Sequence, residues 1–160
     1  MHPRAALLID SLGLVPHPEG GHYREVHRSG LAVLPADGRP SRAALTVIYF
    51  LLAAGEISRL HRVVSDETWH FHEGDPIELM LTAPGSESLE TRRLGAWSAV
   101  TEPVCVVPGG FWQAARTTGV FTLVSCCVGP GFDFEDFEMM RDRPDADDER
   151  RLRPDLAEWM

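Results

Sequence analysis

Between His22 and Val128 the chain is cut into short apolar runs by Gly, Pro, Ser and Asp turn signals. That punctuation most narrows the fold. Several short strands at close, regular spacing argue for an all-β sandwich or barrel. The expected strands are His22–Arg28, Ala44–Leu52, Ile57–Val63, Glu67–Glu73, Ile77–Ala83, Leu89–Leu94, Val104–Val107, Phe111–Arg116 and Val120–Val128. Ala44–Leu52 is almost continuously apolar and reads as a buried strand. Leu89–Leu94 reads as an edge strand. Ala5, Leu8, Ile9 and Leu12 recur at helical spacing before Gly13, which predicts a short N-terminal helix. Pro16-His17-Pro18-Glu19-Gly20-Gly21 reads as a rigid turn leading into the strands.

Gly129-Pro130-Gly131 ends the strand region. Phe134, Phe137 and Met140 then fall about one turn apart, so Phe132–Arg141 is expected to be helical. The division is one domain over residues 1–160, a barrel of about 21–130 and a C-terminal helix with an acidic tail over 132–160. The tail from Asp142 onward is expected to be partly mobile, with Leu152, Leu156 and Trp159 as docking residues.

A chain of 160 residues with 44% hydrophobic content can bury one sizeable core. Its formal net charge is −9, so it repels phosphate backbones and nucleic acid is excluded as a partner. No apolar run reaches the roughly 18 residues of a membrane helix. Ala5–Ile9 is too short for a secretory signal. All fifteen basic residues are arginine, which rules out lysine Schiff-base and P-loop chemistry. There is no asparagine, hence no glycosylation sequon. Cys105, Cys126 and Cys127 match neither a zinc knuckle nor a redox pair. Adjacent Cys126 and Cys127 on a strand face opposite ways. Buried free thiols place the chain in a reducing compartment, the cytoplasm.

One frame carries chemistry. Gly55 is followed by five residues and His61, then by Val63 two residues on, Glu67 after three more, and Gly74 after six more. A second frame, Pro108-Gly109-Gly110, is followed two residues later by Gln113, with Thr117 four residues beyond. These resemble the two motifs of the cupins, with Val63 and Gln113 where histidines stand, Thr117 in place of an asparagine and Glu102 in place of a leading glycine. The chain is further similar to the small cupins called type 5 in Leu14–Arg28, Ile48–Leu52, Ser58–Gly74, Gly109–Ala114 and Gly129–Phe137. The resemblance implies a double-stranded β-helix, the cupin jelly-roll barrel, with the N-terminal helix and C-terminal helical segment outside it. It implies a homodimer. It implies no particular activity, although metal-free sugar epimerases of the same superfamily offer a histidine–carboxylate chemistry by analogy.

In that frame His61, Val63, Glu67 and Gln113 face inward, because residues i and i+2 on a strand share a face. His61 is the candidate acid or base, oriented by Glu67, whose ionised carboxylate is expected to raise the imidazole's pKa. His61, Glu67 and Gln113 are also the weak candidates for a divalent metal. Valine is no ligand and glutamine a poor one, so no cofactor is expected. Trp69 shares the inward face and is a candidate either for stacking on a ligand or for filling the core. His70 and His72 face out, toward solvent or a subunit interface. On the first strand Tyr23, Glu25 and His27 share one face and Arg24 and Arg28 the other, with the register open. Tyr23 and Glu25 are the candidate ligand contacts. Arg59, with the parity of His61, is the candidate for an anionic ligand group. Trp112 and Phe132 are expected in pocket or loop packing.

Three functions fit these residues. One is binding of a small polar organic molecule, such as a carbohydrate derivative, with a metal-independent, epimerase-type proton transfer. The others are a non-enzymatic sensor and a metal-dependent oxygenase.

Overall fold

The computed structural model describes all 160 residues. After helix α1 (Pro3–Leu12), thirteen strands follow. They are β1 (Val15–Pro16), β2 (His22–Arg28), β3 (Ala32–Val33), β4 (Arg42–Ala43), β5 (Thr46–Ala53), β6 (Ile57–Val63), β7 (Asp66–Gly74), β8 (Ile77–Thr82), β9 (Glu90–Leu94), β10 (Val104–Val107), β11 (Trp112–Thr117), β12 (Phe121–Gly129) and β13 (Phe137–Met139). One sheet runs β1-β2-β5-β12-β7-β10 and the other β13-β6-β11-β8-β9, with β3 and β4 as a separate hairpin. Every strand pairing is antiparallel. β9 lies at a sheet edge, as its charged sequence suggests.

Alternation explains the layers. On β8, Ile77, Leu79 and Leu81 point between the sheets and meet Phe50, Leu52, Trp69, Val124 and Cys126 of the facing sheet. Met80 points the other way and is covered by the C-terminal segment. α1 covers one end of the larger sheet, with Ala5 and Leu8, and Leu14 just beyond the helix, on Leu51, Phe121 and Leu123. No helix of the structure is long and apolar enough to cross a membrane.

Two expectations for the C-terminal part are corrected. Phe132–Arg141 is not a helix. It forms a 3-10 turn at Phe134–Asp136, strand β13, and a second 3-10 turn at Met140–Asp142. The free edge of β6 takes up this segment, pairing Phe137 with Val63 and Met139 with His61. Edge pairing overrides the weak helical spacing. The tail is structured too, as α2 (Ala146–Leu152) and a 3-10 helix over Pro154–Trp159. Leu156 and Trp159 dock against Leu60, Met80 and Trp112, while Leu152 is 77% exposed and does not.

Candidate functional site

The inner faces of β2, β5, β6, β7 and β12 surround a cavity of about 250 Å³. His61 and Glu67 both line it and are 2% and 6% exposed. The motif frame therefore puts both where expected. They do not pair with each other. His61 stands 3.3 Å from Glu19, through its Nε2 and the carboxyl Oε2. The sequence pattern marks Glu19 only as part of a turn.

Local chain geometry delivers Glu19. Gly20 and Gly21 adopt φ of 115° and 68°, conformations that favour glycine. A Cβ on Gly20 would stand 2.1 Å from the Ile57 carbonyl oxygen. The segment can thus lie flat on β6, where the Arg59 amide donates to the Glu19 carbonyl at 2.8 Å. The Glu19 side chain then enters the barrel and accepts from the Ser58 hydroxyl at 2.8 Å.

Hydrogen bonding assigns the protons. His61 Nδ1 lies 2.7 Å from the Arg59 carbonyl oxygen, which only accepts, so Nδ1 carries a hydrogen, and in the neutral ring that burial favours Nε2 offers a lone pair. The Glu19 backbone N–H donates to His17 Nδ1 at 3.3 Å, so that nitrogen is an acceptor as well. The same His17 nitrogen stands 3.3 Å from Glu19 Oε2. Glu19 Oε2 therefore faces two ring nitrogens, and a proton on it is donated to His61 Nε2, since the His17 Nδ1 lone pair is taken by the Glu19 backbone N–H. Burial pushes the Glu19 carboxyl up to about 8, against the weaker opposing pull of the Ser58 hydrogen bond. Burial pushes His17 down to about 4, helped by His61. His17 meets the rings of Tyr23, Phe50 and Phe137 edge to face, where water is displaced from it. The expectation of a raised His61 is corrected. Burial lowers it, and the pull of Glu67 in the other direction is smaller.

Glu67 belongs to a second chain of bonds. Its Oε2 accepts from Gln113 Nε2 at 2.6 Å, and Gln113 Oε1 accepts from the Trp69 indole N–H at 3.1 Å. An indole N–H only donates, so Trp69 fixes which way the Gln113 amide points. Trp69 is 1% exposed and packs edge-on against Phe50. It fills the core and orients Gln113, and it presents no stacking face to the cavity. Gln113 likewise supports Glu67 from behind rather than lining the cavity. Burial raises the Glu67 carboxyl.

A cupin metal does not fit these residues. The one Gln113 oxygen is taken by Trp69, and Val63 has no donor atom. The two nitrogens of His61 are turned to the Arg59 carbonyl and to Glu19. No three His, Cys, Asp or Glu side chains converge in a metal-holding group.

The expectation for Arg59 is corrected and Arg28 enters the site, and β-bulges explain both. Gln113 pairs with His61 but Ala115 pairs with Ser58, so β6 holds an extra residue that resets its parity. Arg59 is thereby turned outward and is exposed. On β2, Glu25 pairs with Ile48 and His27 with Val47, with a bulge between them. Tyr23, Glu25 and Arg28 consequently stand opposite Phe50, Ile48 and Thr46, all on the cavity side. Tyr23 and Glu25 line the cavity, and Arg28, from the other face of strict alternation, joins them. Arg28 is held by Glu25 at 2.7 Å and 3.0 Å and donates to the Phe132 carbonyl at 3.1 Å.

Phe132, Phe134 and Phe137 complete the wall. Their loop is clamped by Asp136, which receives Arg39 at 2.8 Å and Arg42 at 2.9 Å and 3.0 Å. Trp112 lies outside the cavity under the Arg62 guanidinium. His70 and His72 bond to Thr68 and Ser125 on the outer face.

This barrel, with a histidine and a glutamate at intact motif spacing, defines a cupin. A family model described as "Cupin superfamily (DUF985)" matches residues 6–140, and the chain belongs to that family. The chain is similar to a hypothetical protein from Leishmania major, with 34% identity over 94% of this chain and 93% of that one and a TM-score of 0.80. A crystal structure of a protein from Shewanella oneidensis shares 33% identity over 99% of this chain and 98% of that one, with a TM-score of 0.83. An oxalate decarboxylase from Bacillus subtilis shares the fold alone, at 13% identity and a TM-score of 0.59 over 91% of this chain and 36% of that one. No curated protein matches the chain.

Proposed function

We infer that the barrel binds a small organic molecule and moves a proton on it without a metal. The observation that carries this reading is the buried Glu19–His61 contact inside a largely apolar cavity. A protonated carboxyl and a neutral imidazole side by side are a competent acid and base. Glu19 gives its proton to a ligand oxygen, His61 Nε2 takes one from the neighbouring carbon, the ligand leaves as its tautomer, and His61 Nε2 passes its proton back to Glu19 Oε2 across their 3.3 Å contact. Atoms and charge balance without a cofactor. Glu67 contributes polarity at the cavity wall rather than orienting His61. A cavity of about 250 Å³ lies below the roughly 300–1,000 Å³ of drug-sized sites. Its aromatic lining favours a compact body over a sugar with many hydroxyls. Three free cysteines support a reducing, cytoplasmic setting. Half-exposed Val104 and Val106 on the edge strand β10 support pairing of two copies.

The test is proton exchange. Protein in deuterated buffer is incubated with a pool of small metabolites and each is weighed by mass spectrometry. The expected result is one deuterium on a single compound, absent with Glu19→Gln and with His61→Gln. No labelling above the buffer control would remove the catalytic step. A saturable ligand without labelling would instead indicate a sensor.

A further inference from the structure

We propose that the ligand of this barrel is a compact organic ammonium ion, held by carboxyl groups and aromatic faces. The proposal rests on the ligand-site reading above and adds the charge of the ligand. Four carboxyls border the cavity: Glu19 and Glu67 within it, Glu25 and Asp133 toward its rim. One cation, Arg28, accompanies them, and Glu25 already holds it through both oxygens. Neither buried carboxyl has an arginine partner. Glu67 has one amide donor on Oε2 and only the Cys126 thiol beside it otherwise. Glu19 has one hydroxyl donor and two histidine nitrogens. The sequence offers no lysine to neutralise them. An ionised buried carboxyl without a counter-charge is costly, so a ligand cation that supplies the charge favours the ionised form of Glu67, while Glu19 keeps its proton.

The walls agree. Tyr23, Phe50, Phe132, Phe134 and Phe137 surround the same space. The faces of aromatic rings attract cations, most strongly when water is excluded. The ring faces and the carboxyls both disfavour an anion, and the sole arginine is already occupied. Phosphorylated and carboxylated ligands are thereby disfavoured.

The experiment compares three probes of similar shape: benzylammonium, benzyl alcohol and benzoate. Each is titrated at pH 7 into the full chain, with amide NMR shifts near His61 and Phe137 as the readout. Benzylammonium is expected to bind at least about tenfold more tightly than the alcohol, and benzoate to leave the shifts unchanged. Glu67→Gln should reduce the ammonium advantage to less than about threefold while leaving the alcohol's affinity in place. Glu25→Gln, on the exposed rim, should act in the same direction without disturbing the core. Equal or tighter binding by the alcohol or by benzoate overturns the charge preference and leaves the cavity a ligand site. Binding by none of the three also overturns it, and the deuterium experiment then judges the broader reading separately, since it uses no amine.

Discussion

Replacing Glu19 with glutamine should flatten the pH dependence of stability above neutrality. In the folded chain burial holds the Glu19 carboxyl proton up to about pH 8, against 4.5 for an ordinary glutamate. Between those values the folded state carries a proton that the unfolded state has lost. Stability therefore falls as pH rises, by about 1.4 kcal/mol per pH unit. His17 acts oppositely. Its folded value of about 4 lies below the ordinary 6.5, so its contribution makes stability rise with pH across that interval. The two slopes oppose each other between about pH 4.5 and 6.5. From 6.5 to 8 the Glu19 slope is no longer countered by His17, and it removes about 2 kcal/mol. Glutamine keeps a neutral donor in the same place and has no proton to lose. Urea unfolding at pH 6.5 and pH 8 measures both chains, and the difference between them isolates Glu19 from every shared titration. The wild-type chain should lose about 2 kcal/mol more than Glu19→Gln over this interval. Equal losses in the two would refute the assignment of a protonated, buried Glu19.

Gly20→Ala forces a left-handed φ on alanine and drives its Cβ into the Ile57 carbonyl, so it should cost at least about 1–3 kcal/mol in the same assay. Asp136→Ala leaves Arg39 with Asp37 and Arg42 with the exposed Glu135 as their remaining carboxylates, with an expected loss of about 1–3 kcal/mol and faster proteolysis within residues 132–137. Trp69→Phe leaves Gln113 Oε1 buried without a donor, for a loss of about 1–3 kcal/mol that urea titration would show. Untagged protein incubated with iron, manganese, nickel or zinc and then desalted should retain less than about a tenth of an equivalent by elemental analysis. Near-stoichiometric metal would contradict the ligand reading of Val63 and Gln113.

The strands are legible in the sequence because alternation and turn residues are local signals. β6 and β10 have the bounds expected from sequence. The frame from Gly55 to Gly74 likewise locates His61 and Glu67 in the cavity. Bulges are not legible in this way. One extra residue on β6 turns Arg59 out, and one on β2 brings Arg28 in, with no mark in the local pattern. Phe132–Arg141 carries helical spacing, but an unpaired strand edge decides its structure. Glu19 escapes sequence reasoning because its partner His61 lies far along the chain and its own segment has no periodicity. The one available signal is a carboxylate set between Pro18 and two glycines, a place where the backbone is held to a single path.

The proposed acid–base chemistry stands on one proton. Nitrogen-15 NMR of the histidine rings at pH 6.5 reads it directly, with His61→Gln to assign the signals. The expected result is a neutral His61 with its hydrogen on Nδ1 and a bare Nε2, beside a Glu19 that keeps its own. An imidazolium with both nitrogens protonated at that pH would mean that Glu19 is ionised, and the proposed acid–base pair would be contradicted.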